Sequence, residues 1–205
     1  MKPRPLGIGP REFLVGVAAL MACQALAVDA MLPAFPVIGR AFGVAEENRL
    51  QLLVTFYISG LGIAQLAWGP LSDRYGRRPV LLVGLALYCA AALLGAASTS
   101  FPLLLAARFV HGVASASLVV SRSMIRDLYE GRQMARVMSL TFIVFLMVPM
   151  VAPGFGQALL LVGPWRLLFA SFALAGMLVL AWVVRRLPET LHPEYRMTLR
   201  PAHVA

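Results

Sequence analysis

The sequence predicts an all-α polytopic membrane protein whose chain crosses the bilayer six times. Hydrophobic residues make up 60% of the 205 residues and charged residues only 13%, unlike the composition of an ordinary soluble domain. A helix needs roughly 20 predominantly apolar residues to cross a bilayer, and six segments come close to or exceed that length. They cover residues 13–38, 50–68, 80–98, 101–121, 137–163 and 167–184. None alternates as a barrel strand does, so helices are expected to satisfy the backbone within lipid.

The basic residues predict the orientation of these spans. The formal net charge is +9, and most of the 18 lysine and arginine residues share one side of the membrane. That side holds Lys2, Arg4, Arg11, Arg74, Arg77, Arg78, Arg122, Arg126, Arg132, Arg136, Arg185, Arg186, Arg196 and Arg200. The opposite side holds Arg40, Arg49 and Arg166, while Arg108 lies within a span. The positive-inside rule therefore places both termini in the cytoplasm.

This topology divides the chain into three parts. Residues 1–12 form a cytoplasmic N-terminal tail, residues 13–184 the six-helix transmembrane bundle, and residues 185–205 a cytoplasmic C-terminal tail. Nucleic-acid binding is disfavoured although the chain is basic, because the arginines flank helix ends and no soluble domain carries them. A removed signal peptide is also disfavoured, because the first apolar run continues well past the possible cleavage sites.

No residue pattern indicates an enzyme. Cys23 and Cys89 lie inside predicted spans, so the sequence suggests neither a disulfide framework nor a metal site. It also lacks a phosphate-binding loop, paired carboxylates and a nucleophile beside a histidine and an acid. We therefore expect a protein without catalytic residues, cofactor or metal, whose immediate partner is the lipid bilayer.

Two opposite charges lie within predicted spans. The first span carries Asp29 and the fourth carries Arg108. A charge near the bilayer centre costs about 2.5–3.5 kcal/mol on insertion scales unless it is paired or faces water. At 1.5 Å per residue, both side chains lie roughly 10–13 Å from the outer boundary of the membrane. The geometry therefore allows a pair across spans one and four or a shared watery cavity. Such a pair would be either a static one that fixes helix packing or a functional site.

The stretch GPLSDRYGRRP at residues 69–79 joins spans two and three. Because the connection is very short, Gly69, Pro70 and Gly76 predict a tight reversal of the chain. Asp73 can cap the start of span three or lie against the N-terminus of another helix. The basic residues of this loop are Arg74, Arg77 and Arg78.

One face of span four is predicted to be polar. Arg108, His111, Ser115 and Arg122 recur at intervals of three, four and seven residues, which places them on the same side of one helix. His111 is expected either as a neutral, hydrogen-bonded side chain or as a second titrating group beside Arg108.

Span five contains prolines and glycines close together. They are Pro149, Pro153, Gly154 and Gly156. Each proline removes a helix hydrogen bond, so the segment is expected to form a bend or a flexible joint. A plain kink without a role in motion is the alternative, because prolines also occur in membrane helices that do not move.

The loop after span two resembles a known signature. The major facilitator superfamily carries the pattern G-x-x-x-D-R-x-G-R-[RK] between its second and third helices. Every specified position matches here, at Gly69, Asp73, Arg74, Gly76, Arg77 and Arg78. The motif is specific, because it ties a long pattern to one place in a membrane topology.

Other segments resemble one branch of that superfamily, the drug:proton antiporters related to the bicyclomycin and chloramphenicol resistance exporters. These segments are AVDAMLPAFPVI, GIAQLAWGPLSDRYGRRPVLL, RFVHGVASASLVVSRSMIRDL, and PMVAPGFGQALL followed by WRLLF. The resemblance runs from about residue 13 to the LPETL of residues 187–191. It covers one half of the family fold, which has twelve spans in two six-helix halves.

The resemblance implies a function. It is the proton-coupled efflux of small, cationic or amphipathic drugs by alternating access across the bacterial inner membrane. The chain would be the N-terminal half, its C-terminal tail would begin the central loop, and a second six-helix half of the same or another chain would be required. The alternative is a truncated or half-size membrane protein without transport of its own, which acts as an interaction or assembly partner.

The resemblance also implies roles for individual residues. The acid at the position of Asp29 is linked to the coupling of protons and cationic drugs, and Arg108 belongs to the motif of span four. His111 stands where relatives usually have glutamine. Asp127, just beyond span four, would pair with Arg77 and latch two helix hairpins in one conformer.

Overall fold

A computed structural model describes residues 7–44 and 46–195, apart from the side chains of Glu47 and Pro193. Within those ranges the chain is helical and has no β-strand. The α-helices are α1 (Pro10–Asp29), α2 (Phe35–Phe42), α3 (Glu47–Leu50), α4 (Leu52–Tyr75), α5 (Arg77–Ala96), α6 (Phe101–Val113), α7 (Ala116–Leu128), α8 (Gly131–Val162) and α9 (Arg166–Arg185). Short 3₁₀ helices cover Leu32–Ala34 and Pro193–Tyr195.

The described helices form six stretches that are long and apolar enough to span a membrane, as the sequence predicts. These spans are Pro10–Phe42, Asn48–Tyr75, Arg77–Ala96, Phe101–Leu128, Gly131–Val162 and Arg166–Arg185. Each coincides with one predicted segment, and the boundaries differ by up to seven residues. The predicted fold class, an all-α multi-pass membrane protein, is therefore confirmed.

Local sequence signals explain where several helices begin and end. The side chain of Ser100 accepts a hydrogen bond from the backbone N–H of Leu103 at 3.4 Å and so caps the start of α6. Proline opens α1 at Pro10, where its missing N–H has no helical partner to lose. Gly43 ends α2 with a φ of 65°, a left-handed conformation that glycine adopts without strain.

Span one is broken into two helices, which the sequence prediction of one continuous segment did not anticipate. α1 ends at Asp29, a 3₁₀ turn covers Leu32–Ala34, and α2 begins at Phe35. Pro33 and Pro36 lack the backbone N–H that an uninterrupted helix requires, so the chain changes its hydrogen bonding around them. The break leaves Asp29 at the end of a helix.

Span four is also broken. α6 ends at Val113 and α7 begins at Ala116, and between them Ser115 has a φ of −76° and a ψ of 43°. The N–H of Ala116 donates to the carbonyl of Ala114 at 2.8 Å, as in an inverse γ-turn. The two halves of span four are therefore separate helices joined by one tight turn.

This turn makes the predicted polar face of span four wrong in part. Arg108, His111 and Ser115 are buried, as expected of one shared face, whereas Arg122 is exposed. The spacing of seven residues implies a shared face only while the helix is continuous, and the turn shifts the helical phase before Arg122 is reached.

Span five is one long helix. α8 continues from Gly131 to Val162 and includes both Pro149 and Pro153 without interruption. The predicted bend or joint therefore does not divide the helix into two, in contrast to spans one and four. Whether the helix flexes at the prolines stays a prediction.

Glycines bring α4 and α6 into direct backbone contact. A Cβ atom on Gly112 would overlap the carbonyl of Tyr57, and one on Gly60 would overlap the carbonyl of Phe109. Membrane helices approach most closely where small residues face each other. The pair α4–α6 accordingly has the most extensive contact in the described bundle, followed by α5–α9 and α1–α8.

Two spans are weakly covered by the rest of the chain. Only 11% of the most apolar stretch of α8 is buried, and 28% of the stretch that contains α4, against 61% for spans one and four. Their exposed side chains are large and apolar, and include Ile58, Ile63, Leu66, Ile143, Leu146, Met147, Met150 and Val151. These surfaces are suited to contact with lipid or with another apolar protein surface.

Candidate functional site

The reversal between spans two and three depends on Gly76. This residue alone separates α4 from α5, and its φ of 102° favours glycine. The predicted tight reversal is therefore present, but Gly69 and Pro70 do not form it, because both lie inside α4. A loop of one residue brings the signature residues of both helices close together.

Arg77 lies at the centre of a group that we call the loop cluster: Asp73, Arg77, Arg78, Asp127 and Glu189. Its guanidinium donates to Asp127 from Nε at 2.9 Å and from Nη2 at 3.3 Å, and from Nη1 to a carboxylate oxygen of Asp73. Nη1 also donates to the hydroxyl of Ser72 at 2.7 Å. The expected pair between Arg77 and Asp127 is present. Asp73 faces Arg77 instead of capping a helix.

Glu189, beyond the last span, caps the start of α5. Its carboxylate accepts the backbone N–H of Arg77 at 2.9 Å and that of Arg78 at 3.2 Å. The hydroxyl of Thr190 donates to Asp127 at 3.3 Å. An anion at a helix N-terminus satisfies unpaired N–H groups and favours the helix dipole. The segment after span six is therefore part of the loop cluster.

Arg74 and Arg78 have different surroundings although both belong to the signature. Arg78 donates from Nη2 to the carbonyl of Val184 at 2.8 Å, which ties the loop to span six. Arg74 is exposed, and its guanidinium lies 5.1 Å from the centre of the Tyr75 ring. The structure thus joins Arg77 and Arg78 to other spans but leaves Arg74 at the surface.

A second group of polar side chains lies inside the bundle. Arg108 is fully buried, and its Nε donates to the carbonyl of Leu53 at 3.1 Å. The guanidinium carbon lies 4.3 Å from the centre of the Tyr57 ring. Nη1 lies 3.4 Å from Nδ1 of His111. We call this group, together with Gln24, Ser115 and Ser117, the buried polar cluster.

Hydrogen bonds connect the buried polar cluster across three spans. The hydroxyl of Tyr57 donates to Oε1 of Gln24 at 2.6 Å and lies 3.1 Å from the hydroxyl of Ser115. The amide of Gln24 donates to the hydroxyl of Ser117 at 2.7 Å. Ser115 donates in turn to the carbonyl of His111 at 3.2 Å. The cluster therefore holds the γ-turn of span four against spans one and two.

His111 lies among aromatic rings. The ring of Tyr88 is centred 4.1 Å away, that of Tyr57 5.5 Å away and that of Phe172 6.2 Å away. Within the described residues, three buried polar atoms have no hydrogen-bond partner: Nη2 of Arg108, Nε2 of His111 and Oγ of Ser121. The charge and the imidazole of span four are thus enclosed mainly by rings and backbone carbonyls.

Asp29 does not pair with Arg108. In the part of the chain that the structure describes, its carboxylate has neither a hydrogen bond nor an ion pair, and the side chain is half-buried. The expected pair is therefore wrong for this structure, because Arg108 is held by Leu53, Tyr57 and His111 in its own part of the bundle. A shared watery cavity stays a prediction.

Span five contributes a contact beside Asp29. A Cβ atom on Gly156 would overlap the carbonyl of Ala30 and approach the ring of Pro33, so only glycine lets α8 lie against the break in span one. The other residues predicted for the bend contribute less to this contact. A Cβ on Gly154 would meet nothing within 4 Å, and Pro149 is exposed.

The described residues contain no group of three or more histidine, cysteine, aspartate or glutamate side chains that could hold a metal ion. Cys23 and Cys89 are both buried and free.

The loop cluster and the six spans agree with a comparison of sequences. The sequence profile of the Major Facilitator Superfamily matches residues 17–201. The chain belongs to the major facilitator superfamily. The resemblance drawn from the signature of residues 69–78 is thereby confirmed, and the signature residues Asp73, Arg77 and Arg78 are those that join four spans at one end of the bundle.

Curated members of the superfamily resemble this chain over most of its length. The uncharacterized MFS-type transporter YdgK of Bacillus subtilis is 38% identical over 188 residues, which are 90% of this chain and 46% of that protein. The bicyclomycin resistance protein homolog of Haemophilus influenzae is 33% identical over 189 residues, 92% of this chain and 47% of that protein. The multidrug resistance protein MdtL of Klebsiella pneumoniae is 31% identical over 196 residues, which are 94% of this chain and 49% of that protein.

A solved structure shows the same fold. The human organic anion transporter MFSD10 (TETRAN) matches 92% of this chain and 50% of its own chain, with a TM-score of 0.70 and 22% sequence identity. The chain spans about half the length of the curated relatives it matches. It therefore carries the six spans expected of one half of the major facilitator fold.

The sequence did not predict four residues that the structure brings into these clusters: Gln24, Tyr57, Ser117 and Glu189. Tyr57 and Gln24 lie in apolar runs without a motif, although a polar side chain in a membrane span is itself a signal of a partner across helices. In the sequence, Glu189 belongs only to LPETL, the last segment that resembles the superfamily. Its position after span six, among basic residues, is a signal for an anion that caps a helix.

Proposed function

We propose that the chain is the N-terminal half of a proton-coupled exporter of small cationic or amphipathic drugs in the bacterial inner membrane, with both termini in the cytoplasm. The observation that carries the proposal is the unpaired carboxylate of Asp29 at the break in span one. An ionisable residue within a membrane span marks a functional site by default. The names of the multidrug and bicyclomycin resistance relatives support drugs as the substrate class.

Asp29 couples the two substrates because one carboxylate can bind either a proton or a cation. Protonation removes the charge that attracts a cationic drug, and a bound cation makes protonation unfavourable. If the carboxylate faces each side of the membrane in turn, proton entry drives drug exit. The membrane potential supplies about 2.3 kcal/mol per charge per 100 mV for each proton that enters.

A second six-helix half provides the other wall of the drug path. Alternating access in secondary transporters requires two bundles that rock about a site near the middle of the membrane. The exposed apolar surfaces of α4 and α8 are the surfaces that such a half would cover. The loop cluster stabilises one conformer of this motion, because its ion pairs join α4, α5 and α7 and break when these helices separate.

The decisive experiment replaces Asp29 in the full-length protein, by which we mean this chain together with its second six-helix half. Drug-induced proton release is measured from purified protein in detergent, with a cationic and a neutral drug. Asp29→Asn is expected to abolish release by the cationic drug and to affect binding of the neutral drug less. Glu46→Gln, which changes an exposed acid outside the spans, is the matched control. Undiminished release from Asp29→Asn would move the coupling group elsewhere, with His111 the next candidate.

Fused reporters test the orientation. A reporter after residue 205, and one within residues 126–136, are expected in the cytoplasm, because the basic residues concentrate on that side. A reporter at residue 46 is expected outside. A cytoplasmic reporter at residue 46 would reverse the topology and move the loop cluster to the outer face.

A second candidate function is that of an assembly partner without transport of its own. The weak coverage of α8 favours it, because an apolar surface of this size can bind another membrane protein as well as a second half. Reconstitution of the 205-residue chain in vesicles together with a second six-helix half distinguishes the two. Drug uptake that requires both halves would exclude the partner role, whereas stable association of the two without uptake would support it.

A further inference from the structure

The buried guanidinium of Arg108 has no carboxylate to neutralise it. Among the described residues it forms no ion pair, and it is fully buried. Asp29, the acid expected to pair with it, is likewise unpaired. A charge in a membrane span persists only where other groups compensate it. The groups that do so must therefore lie in the buried polar cluster.

The face of the Tyr57 ring compensates the charge. The guanidinium carbon lies 4.3 Å from the ring centre, and both side chains are fully buried. A cation over an aromatic face is held most strongly where neither group can be hydrated. The carbonyl of Leu53, one turn earlier in α4, accepts the Nε–H bond at 3.1 Å and fixes the orientation of the guanidinium.

Tyr57 itself is held at three points. The hydroxyl of its side chain donates to Gln24 at 2.6 Å and lies 3.1 Å from the hydroxyl of Ser115. The backbone carbonyl of Tyr57 lies directly against Gly112 of α6, where a Cβ atom would not fit. Tyr57 therefore cannot turn away from Arg108 unless the contacts among spans one, two and four break.

We propose that Tyr57 is a positioning residue that retains the guanidinium of Arg108 inside the bundle and thereby leaves the carboxylate of Asp29 open to a cationic substrate. The proposal rests on the proposed function, in which Asp29 binds a proton or a cation. Both residues are expected at similar depth in the membrane. A guanidinium released from the ring is drawn towards the unpaired carboxylate within the spans, and a cationic drug then has to displace it.

This arrangement determines specificity for charge. A cation can bind because the positive charge of Arg108 is held away from Asp29. The binding of a neutral substrate does not depend on the position of that charge. Loss of the ring should therefore weaken the binding of cations and leave the binding of neutral substrates less affected.

The test is a double-mutant cycle in the full-length protein. Equilibrium binding of tetraphenylphosphonium, a permanent cation, is measured for the wild type, Tyr57→Leu, Arg108→Gln and the double variant. Tyr57→Leu is expected to raise the Kd about tenfold, the size of effect that a desolvated cation–π contact supports. Tyr57→Phe, which keeps the ring and loses the hydroxyl, is expected to have a smaller effect. In the double variant, the Kd is expected to equal that of Arg108→Gln alone.

A fluorination series at position 57 keeps the test valid if Tyr57→Leu does not fold. Phenylalanines with increasing numbers of ring fluorines have nearly constant shape and a progressively weaker negative face. The Kd for tetraphenylphosphonium is expected to rise with each fluorine when Arg108 is present and to stay constant with Arg108→Gln. A packing role would give no trend in either background.

Two outcomes would overturn the proposal. One is that Tyr57→Leu changes the Kd for tetraphenylphosphonium by the same factor with Arg108 and with Arg108→Gln. The other is that the Kd does not change along the fluorination series. Failure of the proposed function is recognised separately, by Asp29→Asn: if this variant binds tetraphenylphosphonium as the wild type does, Asp29 is not the cation site, whatever the result of the cycle between positions 57 and 108.

Discussion

The loop cluster and the buried polar cluster each contain a buried arginine, but the two arginines are compensated in opposite ways. Arg77 faces two carboxylates, those of Asp73 and Asp127, and a hydroxyl. Arg108 faces a carbonyl, a ring and an imidazole, and one of its nitrogens has no partner in the described chain. The ion pairs of Arg77 join helices through opposite charges, whereas the charge of Arg108 is held in place by neutral groups alone.

The difference also determines what each substitution does to stability. Removing one partner of a buried ion pair leaves the other charge without compensation and is strongly destabilising. Removing a buried charge that has no ionic partner leaves no opposite charge behind. The same change of residue is therefore expected to have opposite consequences in the two clusters.

The largest effect is expected from Arg77→Met. The carboxylates of Asp73 and Asp127 then face each other without a cation, and the free energy of unfolding of the purified chain should fall by about 3 kcal/mol. Insertion into the membrane should remain intact, while export by the full-length protein is lost. Unfolding in mixed detergent measures the first effect and efflux from cells the second.

The exposed arginine of the same loop is the control for this change. Arg74→Met removes a guanidinium that has no carboxylate partner in the described chain, so its unfolding free energy should stay within about 0.5 kcal/mol of the wild type. If Arg77→Met and Arg74→Met lowered the unfolding free energy equally, the ion pairs of Arg77 with Asp73 and Asp127 would not be what stabilises the loop cluster.

Arg108→Met is expected to have the opposite sign. Replacing a buried charge by an apolar side chain of similar volume is often neutral or stabilising, so the unfolding free energy should be unchanged or rise by about 1 kcal/mol. Proton release in the full-length protein should nevertheless be lost. A fall as large as that of Arg77→Met would show that Arg108 is compensated as completely as Arg77, and the contrast between the clusters would disappear.

Glu189→Ala should have a smaller effect. Two backbone N–H groups at the start of α5 lose their acceptor, and removal of a capping group typically costs about 1 kcal/mol. Glu189→Gln retains one carbonyl acceptor, so its unfolding free energy should lie between that of Glu189→Ala and that of the wild type. Glu194→Gln is the control, since its carboxylate is largely exposed and lies 3.7 Å from His192. Equal effects at the two positions would exclude the cap.

The smallest effect is expected from Glu12→Gln. Glu12 accepts two hydrogen bonds from Arg186, at 2.8 and 2.9 Å, at the surface of the bundle. The carboxylate raises the pKa of Arg186, so the contribution of this cation is complete at neutral pH and is lost as the pH rises through that raised pKa. The unfolding temperature of Glu12→Gln should therefore be slightly lower than that of the wild type, by the same amount at pH 6 and pH 8. In high salt the two unfolding temperatures should be equal.

The spans and the loop could be predicted because their signals are local. A run of about 20 apolar residues has one stable form in lipid, and the order of residues from Gly69 to Arg78 identifies one turn of one fold. The pair between Arg77 and Asp127 also followed, since the resemblance names both residues. These conclusions need no knowledge of which helices are neighbours.

The interior of the bundle could not be predicted in the same way. The sequence predicts a similar depth for Asp29 and Arg108, but depth does not determine the direction in which a side chain points. The partners of Arg108 are a ring and a carbonyl, Tyr57 and Leu53, and neither has a charge by which a sequence pattern would select it. The break in span one lies at Pro33 and Pro36, whereas no proline marks the break in span four between Val113 and Ala116.

The order of the partners of Arg108 has a consequence for biosynthesis. Leu53 and Tyr57, which contact the guanidinium, precede Arg108 in the chain, whereas His111 follows it in the same span. When span four leaves the insertion machinery, the ring and the carbonyl that compensate its charge are therefore already in the membrane. A chain that began after span two would release the same arginine into lipid at a cost of about 2.5–3.5 kcal/mol. Span two is therefore expected to stabilise the charge of span four as it enters the membrane, because synthesis from the N-terminus places its ring and carbonyl there first.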